Sequence, residues 1–282
     1  MTAPQINFKP PTFESKDKQF ILYQGDCNEF LPKFKGEFDL LFADPPYFLS
    51  NDGLSIQSGK IVSVNKGEWD KEASISDIDE FNTQWIQNAK TALKDTGSLL
   101  ISGTYHNIFS LGRVLQKLDF KILNIITWQK TNPPPNFSCR YLTHSTEQII
   151  WARKSAKHKH IFNYDLLKKL NNDKQMRDVW AFPAIAPWEK INGKHPTQKP
   201  LALLVRLLLM ASNTNSLTGD PFSGSASTGI AANLLGRKFI GFEKESEFVK
   251  ISVARKLELE KNSEMMKNKI RDIKFLQNLG LF

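Results

Sequence analysis

Residues 216–243 read SLTGDPFSGSASTGIAANLLGRKFIGFE. Ser216–Asp220 has the character of a short buried strand, Gly224–Leu235 of a helix, and Lys238–Phe242 of a second strand, the alternation that builds an α/β sheet. Between strand and helix come Asp220, Pro221, Phe222, Ser223, Gly224 and Ser225, mostly small residues of the kind found where backbone approaches a ligand closely. The second strand runs into Glu243, 19 residues beyond Gly224, the spacing at which a carboxylate meets ribose hydroxyls in nucleotide-binding folds. Ala226 and Ser227 interrupt the glycine spacing that seats a pyrophosphate on a helix N-terminus, and no phosphate-binding P-loop occurs in the chain. A nucleoside without phosphates, such as the sulfonium S-adenosylmethionine with Phe222 walling its adenine, fits this pattern. An ordinary Gly/Ser turn is the competing reading.

Outward from this unit the alternation continues. Gln19–Gln24, Phe38–Ala43, Ser98–Ser102, Lys121–Trp128 and Gln148–Ala152 read as strands, whereas Asp77–Leu93, Ile108–Leu118, Pro200–Ala211 and a long charged Glu245–Asn268 read as helices. The expected architecture is a central, mostly parallel sheet with helices on both faces, in one domain spanning 1–282. Residues 48–73, rich in Gly, Ser and Asn, are expected to form a mobile loop. Residues 153–195 are basic and poor in periodicity, and read as an insertion or small subdomain.

The chain has 282 residues, 40% apolar and 24% charged, ordinary values for a globular protein. Its 38 Lys and Arg against 29 Asp and Glu give +9 and favour a polyanionic partner. Eleven Lys and Arg against four Asp and Glu fall between Arg153 and Lys199, so the excess is local. Two cysteines, Cys27 and Cys139, exclude a disulfide framework. No metal site is expected, the His158-Lys159-His160 cluster lacking partners at ligand spacing. The N-terminus shows no secretory signal and the most apolar stretch, Leu201–Ala211, carries Arg206, so a cytoplasmic protein without membrane contact is expected.

A second motif, Asp44-Pro45-Pro46-Tyr47, follows the apolar strand Phe38–Ala43. Consecutive prolines fix φ and remove two N–H donors, leaving a rigid segment rich in acceptors. The Asp44 carboxylate and the Pro45 carbonyl can accept both hydrogens of an exocyclic amine, and Tyr47 can stack on the ring that bears it. Such acceptors stabilise the positive charge that develops when a delocalised amine attacks an electrophilic methyl group. A base reaching this pocket must leave its duplex.

Together the two motifs resemble the amino-type, S-adenosylmethionine-dependent DNA methyltransferases. The Asp-Pro-Pro-Tyr motif precedes the Phe222 loop, which is the order of the beta group. His195-Pro196-Thr197-Gln198-Lys199-Pro200 is similar to the family's H-P-x-x-K-P segment, which implies that His195, Thr197, Gln198 and Lys199 help form the methionine end of the cofactor pocket. Gly25-Asp26-Cys27 resembles the element whose Asp and next residue contact the adenine, and the resemblance also places Asp44 near the cofactor amino group. Asn132–Ser138 with Arg140 and Tyr141, and Asp44–Gly53, are similar to DpnA-like N6-adenine methyltransferases of restriction–modification systems that modify GATC. Ala226 stands where the family often has Gly, and its methyl is accommodated if φ stays negative.

The resemblance thus implies a Rossmann-like methyltransferase fold and transfer of a methyl group to N6 of a flipped adenine in double- or single-stranded DNA. It also implies a homodimer and a cognate restriction endonuclease, with 153–195 as an inserted target-recognition region. Cytosine-N4 or RNA base methylation, and a non-catalytic nucleic-acid-binding role, are the alternatives.

Overall fold

The computed structural model describes residues 9–48, 54–57, 60–63, 74–136, 138–190, 192–193 and 195–271. The chain runs through β1 (Phe13–Glu14), β2 (Phe20–Gln24), α1 (Cys27–Phe30), β3 (Phe38–Ala43), β4 (Leu54–Gln57), β5 (Lys60–Ser63), α2 (Ile75–Ala92) and β6 (Leu93–Gly103). It continues through α3 (Ile108–Lys117), β7 (Lys121–Lys130), β8 (Thr146–Arg153), α4 (Tyr164–Leu170), β9 (Val179–Phe182) and α5 (Leu201–Ala211). The last elements are β10 (Leu217–Asp220), α6 (Ser227–Leu234), β11 (Lys238–Glu243), α7 (Ser246–Lys261) and α8 (Ser263–Arg271).

Nine strands form one sheet in the order β1-β2-β11-β10-β3-β6-β8-β7-β9. Only β1 and β8 run against the others. Alternation along the strands divides the interior in two. Leu40, Phe42, Leu100, Ile149 and Trp151 pack beneath α4, α5 and α6, while Leu41, Ala43, Leu99, Ile101 and Ile150 pack beneath α1, α2 and α3. Strands buried on both faces read as continuous apolar runs, which is why they were legible.

Two neighbouring strands position the site. From β3 the chain leaves through α2 to β6 on one side, and from β10 it leaves through α6 to β11 on the other. The crevice between β3 and β10 is therefore the topological switch point, where α/β sheets bind ligands beyond the carboxyl ends of the strands. Both strands run into Asp-Pro there: Asp44-Pro45 after β3, and Asp220-Pro221 at the end of β10.

Several expectations change. The helix expected from Gly224 begins at Ser227, because Gly224 and Ala226 both sit in the left-handed region (φ 51° and 52°). Ala226 thus has positive φ, so the condition for accommodating its methyl freely is not met, at a cost of about 1 kcal/mol. The charged C-terminal helix is broken at Asn262, which leaves helical geometry between α7 and α8. Helix α2 starts earlier than expected, at Ile75, because Ser74 and Asp77 form a reciprocal capping box.

The stretch expected to be a loop contains the antiparallel ribbon β4–β5; the remainder of 49–73 lies outside the described residues, as do Phe137 of the Asn132–Ser138 motif and the first eight residues. Segment 153–195 contributes a strand to the central sheet. Within it, β9 pairs with β7 as the sheet's edge, and Arg206 of α5 lies against the Trp180 and Phe182 rings, 5.1 and 4.6 Å from their centroids. Among the described residues no helix is long and apolar enough to cross a membrane.

Candidate active site

At the switch point lies a concave cleft with about 1060 Å3 of space, the open solvent at its mouth included. It is lined by Asp26, Cys27, Asp44, Pro46, His195, Thr197, Gln198, Lys199, Asp220, Phe222, Ser223, Gly224, Ser225 and Glu243. Three stretches far apart in sequence are thus brought together with the Asp44 motif. Pro45 and Tyr47 do not line it.

Each wall has its own local cause. Asp26 caps α1, accepting from the Asn28 amide at 2.9 Å. Cys27 follows it into the interior, where burial, reinforced by the Asp26 charge, pushes its thiol up and keeps it neutral. The glycine loop closes on its own carboxylates. Asp220 accepts from the Thr228 hydroxyl at 2.6 Å and the Phe222 amide at 3.0 Å, and Glu243 accepts from the Gly224 amide at 2.6 Å and the Glu245 amide at 2.8 Å. Burial raises Glu243, and it pushes Asp220 up to about 7.

Gly224 cannot be replaced without cost. Its φ is positive, and a Cβ there would stand 2.8 Å from His195 Nε2. That approach seats the His195–Lys199 segment on the loop. Phe222 projects against Phe81 and Trp85, with ring centroids at 6.0 and 5.3 Å, and presents an apolar wall.

Helix α7 holds the loop from beneath, by residues that sequence patterns did not single out. Ser252 donates to the Gly224 carbonyl at 2.8 Å. Buried Arg255 donates to the Ser225 carbonyl and hydroxyl and to the Ser227 hydroxyl, at 2.6, 2.9 and 2.8 Å. These bonds over-determine the left-handed turn and offset its strain. Glu189 does similar work for the other wall. It accepts from the Ala186 and Leu201 amides, replacing the N-cap that Pro200 cannot supply, and its carbonyl accepts from Gln198. Two buried cleft atoms, Ser223 Oγ and Gln198 Oε1, have no hydrogen-bond partner among the described residues. A polar ligand would satisfy them.

The Asp44 motif is wired differently. Tyr47 is 5% exposed, and its hydroxyl donates to Asp44 Oδ1 at 2.6 Å and lies 3.0 Å from Ser102 Oγ. Burial first, then the Asp44 and Glu147 charges, raise the phenol well above its ordinary range. Asn107 donates to the Pro46 carbonyl at 3.0 Å and fixes the turn. Lys199 Nζ donates to Asp44 Oδ2 at 2.5 Å and lies 5.4 Å from the centroid of the Tyr47 ring. The Tyr47 ring expected to receive a base is therefore held inside the protein with an ammonium beside it.

Glu147, at the start of β8, lies 3.5 Å from Lys199 and 2.6 Å from Lys130. Burial opposes its charge, yet the two lysines hold its carboxyl below the ordinary range. Burial likewise opposes the Lys199 charge, but Asp44 and Glu147 keep that ammonium above the usual lysine range. Glu147 and Lys130 were absent from the sequence reading. A carboxylate bordering the apolar strand QIIWA was the signal that could have found the first.

The basic segment does not form one surface. Arg153 pairs in register with Ser98, midway along β6, and with Lys121 at the start of β7, whereas Gln148 pairs with Gly103 at the rim that carries the cleft. Five residues of strand put Arg153 about 17 Å from that rim. Residues 153–160 accordingly lie at the opposite rim, and His160 there packs on Trp151. Lys199, whose charge is taken up internally, belongs to the site. Among the described residues, no group of three or more His, Cys, Asp and Glu is placed to hold a metal ion.

A family profile described as DNA methylase, for N6 and N4 methyltransferases, matches residues 38–254. The type II methyltransferase M2.MboI of Moraxella bovis is 58% identical over 246 residues, 87% of this chain and 90% of that protein. The type II methyltransferase M2.DpnII of Streptococcus pneumoniae is 52% identical over 254 residues, 89% of this chain and 91% of that protein. Among solved structures, M1.HpyAVI in complex with S-adenosylmethionine superposes with a TM-score of 0.65 at 28% identity, covering 84% of this chain and 98% of that one. PvuII DNA methyltransferase, cytosine-N4-specific, shares the fold with a TM-score of 0.68 at 20% identity, over 96% of each chain.

Proposed function

Because the chain belongs to the DNA methylase family of N6 and N4 methyltransferases, we propose that Asp44, Pro45, Pro46 and Tyr47 act on the amine of a target adenine while the adjoining cleft holds the methyl donor. The enzyme is an S-adenosylmethionine-dependent DNA methyltransferase. Asp44 carries the reading, because it lies on the wall of the cleft that also presents Phe222, Glu243 and the unsatisfied Ser223 and Gln198 oxygens.

Asp26, Cys27, Phe222 and Glu243 would hold the nucleoside half of the cofactor. His195, Thr197, Gln198, Lys199 and the Asp220–Ser225 loop would hold its amino-acid half. Bound there, the cofactor supplies a methyl group on a sulfonium, an electrophile that needs no metal. Asp44 and the Pro45 carbonyl accept the hydrogens of the attacking nitrogen and stabilise its growing positive charge. The Tyr47 hydroxyl and the Asn107 bond to Pro46 hold those acceptors in place. As the nitrogen becomes cationic, the Asp44 carboxylate is the nearest protein acceptor for the proton it loses.

The DNA-facing surface in this reading is the cleft rim. Tyr105 and Tyr141 are 53% and 62% exposed there, with the His144 ring 4.9 and 5.4 Å from theirs. Such rings stack on unpaired bases at about 1–3 kcal/mol each. Of the 153–195 region, the part following β9 shares this rim and is the portion proposed for target recognition. A GATC site, a homodimer, a cytoplasmic location and a cognate restriction endonuclease follow from the resemblance to DpnA-like enzymes.

Incubation with methyl-labelled S-adenosylmethionine and duplex or single-stranded DNA, followed by digestion to nucleosides and sequencing around the label, tests the reading. N6-methyladenine within GATC is expected. Label on cytosine N4, or only on RNA, would overturn it.

A further inference from the structure

In this structure Lys199 occupies the ground that the target amine needs. Its ammonium is 2.5 Å from Asp44 Oδ2 and 5.4 Å from the centroid of the Tyr47 ring, so one cation covers both the acceptor and the stacking partner assigned to the base. On its other side stands Glu147. Lys130 holds that residue by Oε1 at 2.6 Å, while buried Oε2 faces Lys199 in a longer ion pair of 3.5 Å. That oxygen keeps acceptor capacity for a closer approach of the same ammonium.

We propose that Glu147 is a positioning residue whose Oε2 receives the Lys199 ammonium when the target base enters, uncovering Asp44 and the Tyr47 ring. The inference rests on the adenine methyltransferase reading above and extends it to two side chains outside the Asp-Pro-Pro-Tyr motif. The transfer moves one ammonium from one buried carboxylate to another and needs no proton exchange, so the charge of the Lys130–Glu147–Lys199–Asp44 set is unchanged. Lys199 starts within ion-pair distance of both carboxylates, so the motion is a change in the torsions of one side chain. With Glu147 neutral, Lys199 has only Asp44 as a counter-ion and competes with the amine for it. Removal of Lys199 charge abolishes that competition.

The test uses full-length enzyme and DNA with 2-aminopurine at the target position, whose fluorescence rises as the base leaves the stack. Glu147→Gln is expected to lower both base capture and single-turnover methyl transfer at saturating cofactor by about tenfold. Its cofactor dissociation constant should stay within about twofold of the parent. Adding Lys199→Met to Glu147→Gln is expected to restore base capture toward the parent level, read without cofactor because Lys199 also lines the cofactor cleft. Unchanged capture in Glu147→Gln would overturn the proposal. So would a double variant no better than the single one, or a loss of cofactor affinity and melting temperature parallel to the loss of capture, which marks a merely structural role. Parent enzyme that methylates adenine while these variants fail the pattern refutes this inference alone; parent enzyme that labels another base refutes the reading beneath it.

Discussion

Two strands lie side by side at the centre of the sheet and both run into Asp-Pro, yet their aspartates meet different partners. Asp44 meets a buried ammonium and a phenol, and its two oxygens accept from Lys199 and Tyr47. Asp220 meets no cation among its hydrogen-bond partners. It accepts from a hydroxyl and an amide, and burial raises it to about 7. The first environment suits a group that must accept hydrogen bonds from an amine turning cationic. The second suits a group that closes a loop. Identical dipeptides at neighbouring strand ends thus meet separate environments through what the tertiary structure places opposite them.

The largest effect that would sharpen this contrast is expected at the first aspartate. Asp44→Asn replaces one acceptor oxygen by a donor and should reduce methyl transfer by about 10²–10³-fold, read as a single-turnover rate at saturating cofactor and DNA. Phe222→Ala addresses the second strand end. Loss of the wall against Phe81 and Trp85 should weaken cofactor binding by about tenfold in a calorimetric titration, and unchanged affinity would remove Phe222 from the pocket.

The smallest effect concerns pH. Because the Asp220 carboxyl is raised from 3.8 to about 7, folded protein keeps a proton that unfolded chain loses across that interval. Its contribution to stability is whole below the lower value and is lost as pH rises through the upper one. Asp220→Asn, which preserves shape and can keep the Phe222 and Thr228 contacts, should remove this decline in denaturation experiments between pH of about 4 and 7. An unchanged pH slope would mean that Asp220 ionises as an ordinary carboxylate.

What sequence revealed and what it hid divide along contiguity. The Asp44 tetrapeptide and the Asp220–Ser225 loop were legible because their chemistry lies in adjacent residues following apolar strands. Glu147, Lys130, Ser252 and Arg255 were not, because each acts on residues at least two dozen positions away in the chain, or on partners set by strand order. Strand β9 escaped notice because VWAF is short and sits in a basic context, although Trp180 and Phe182 bury fully enough to complete the sheet edge. Net charge misled for a related reason. A run of lysines in sequence spans both rims of the sheet, and one member, Lys199, is neutralised inside the site. The tyrosine of the tetrapeptide was found, but its burial and its bond to Asp44 are tertiary facts that no local pattern encodes.

The claim at the centre of this account is that Asp44 serves the amine and Asp220 serves the loop. Single-turnover methyl transfer by Asp44→Asn and Asp220→Asn, each with cofactor and DNA at saturation, tests it most directly. A loss of about 10²–10³-fold is expected in the first and of less than about tenfold in the second. Equal losses in the two variants, or the greater loss in Asp220→Asn, would contradict it.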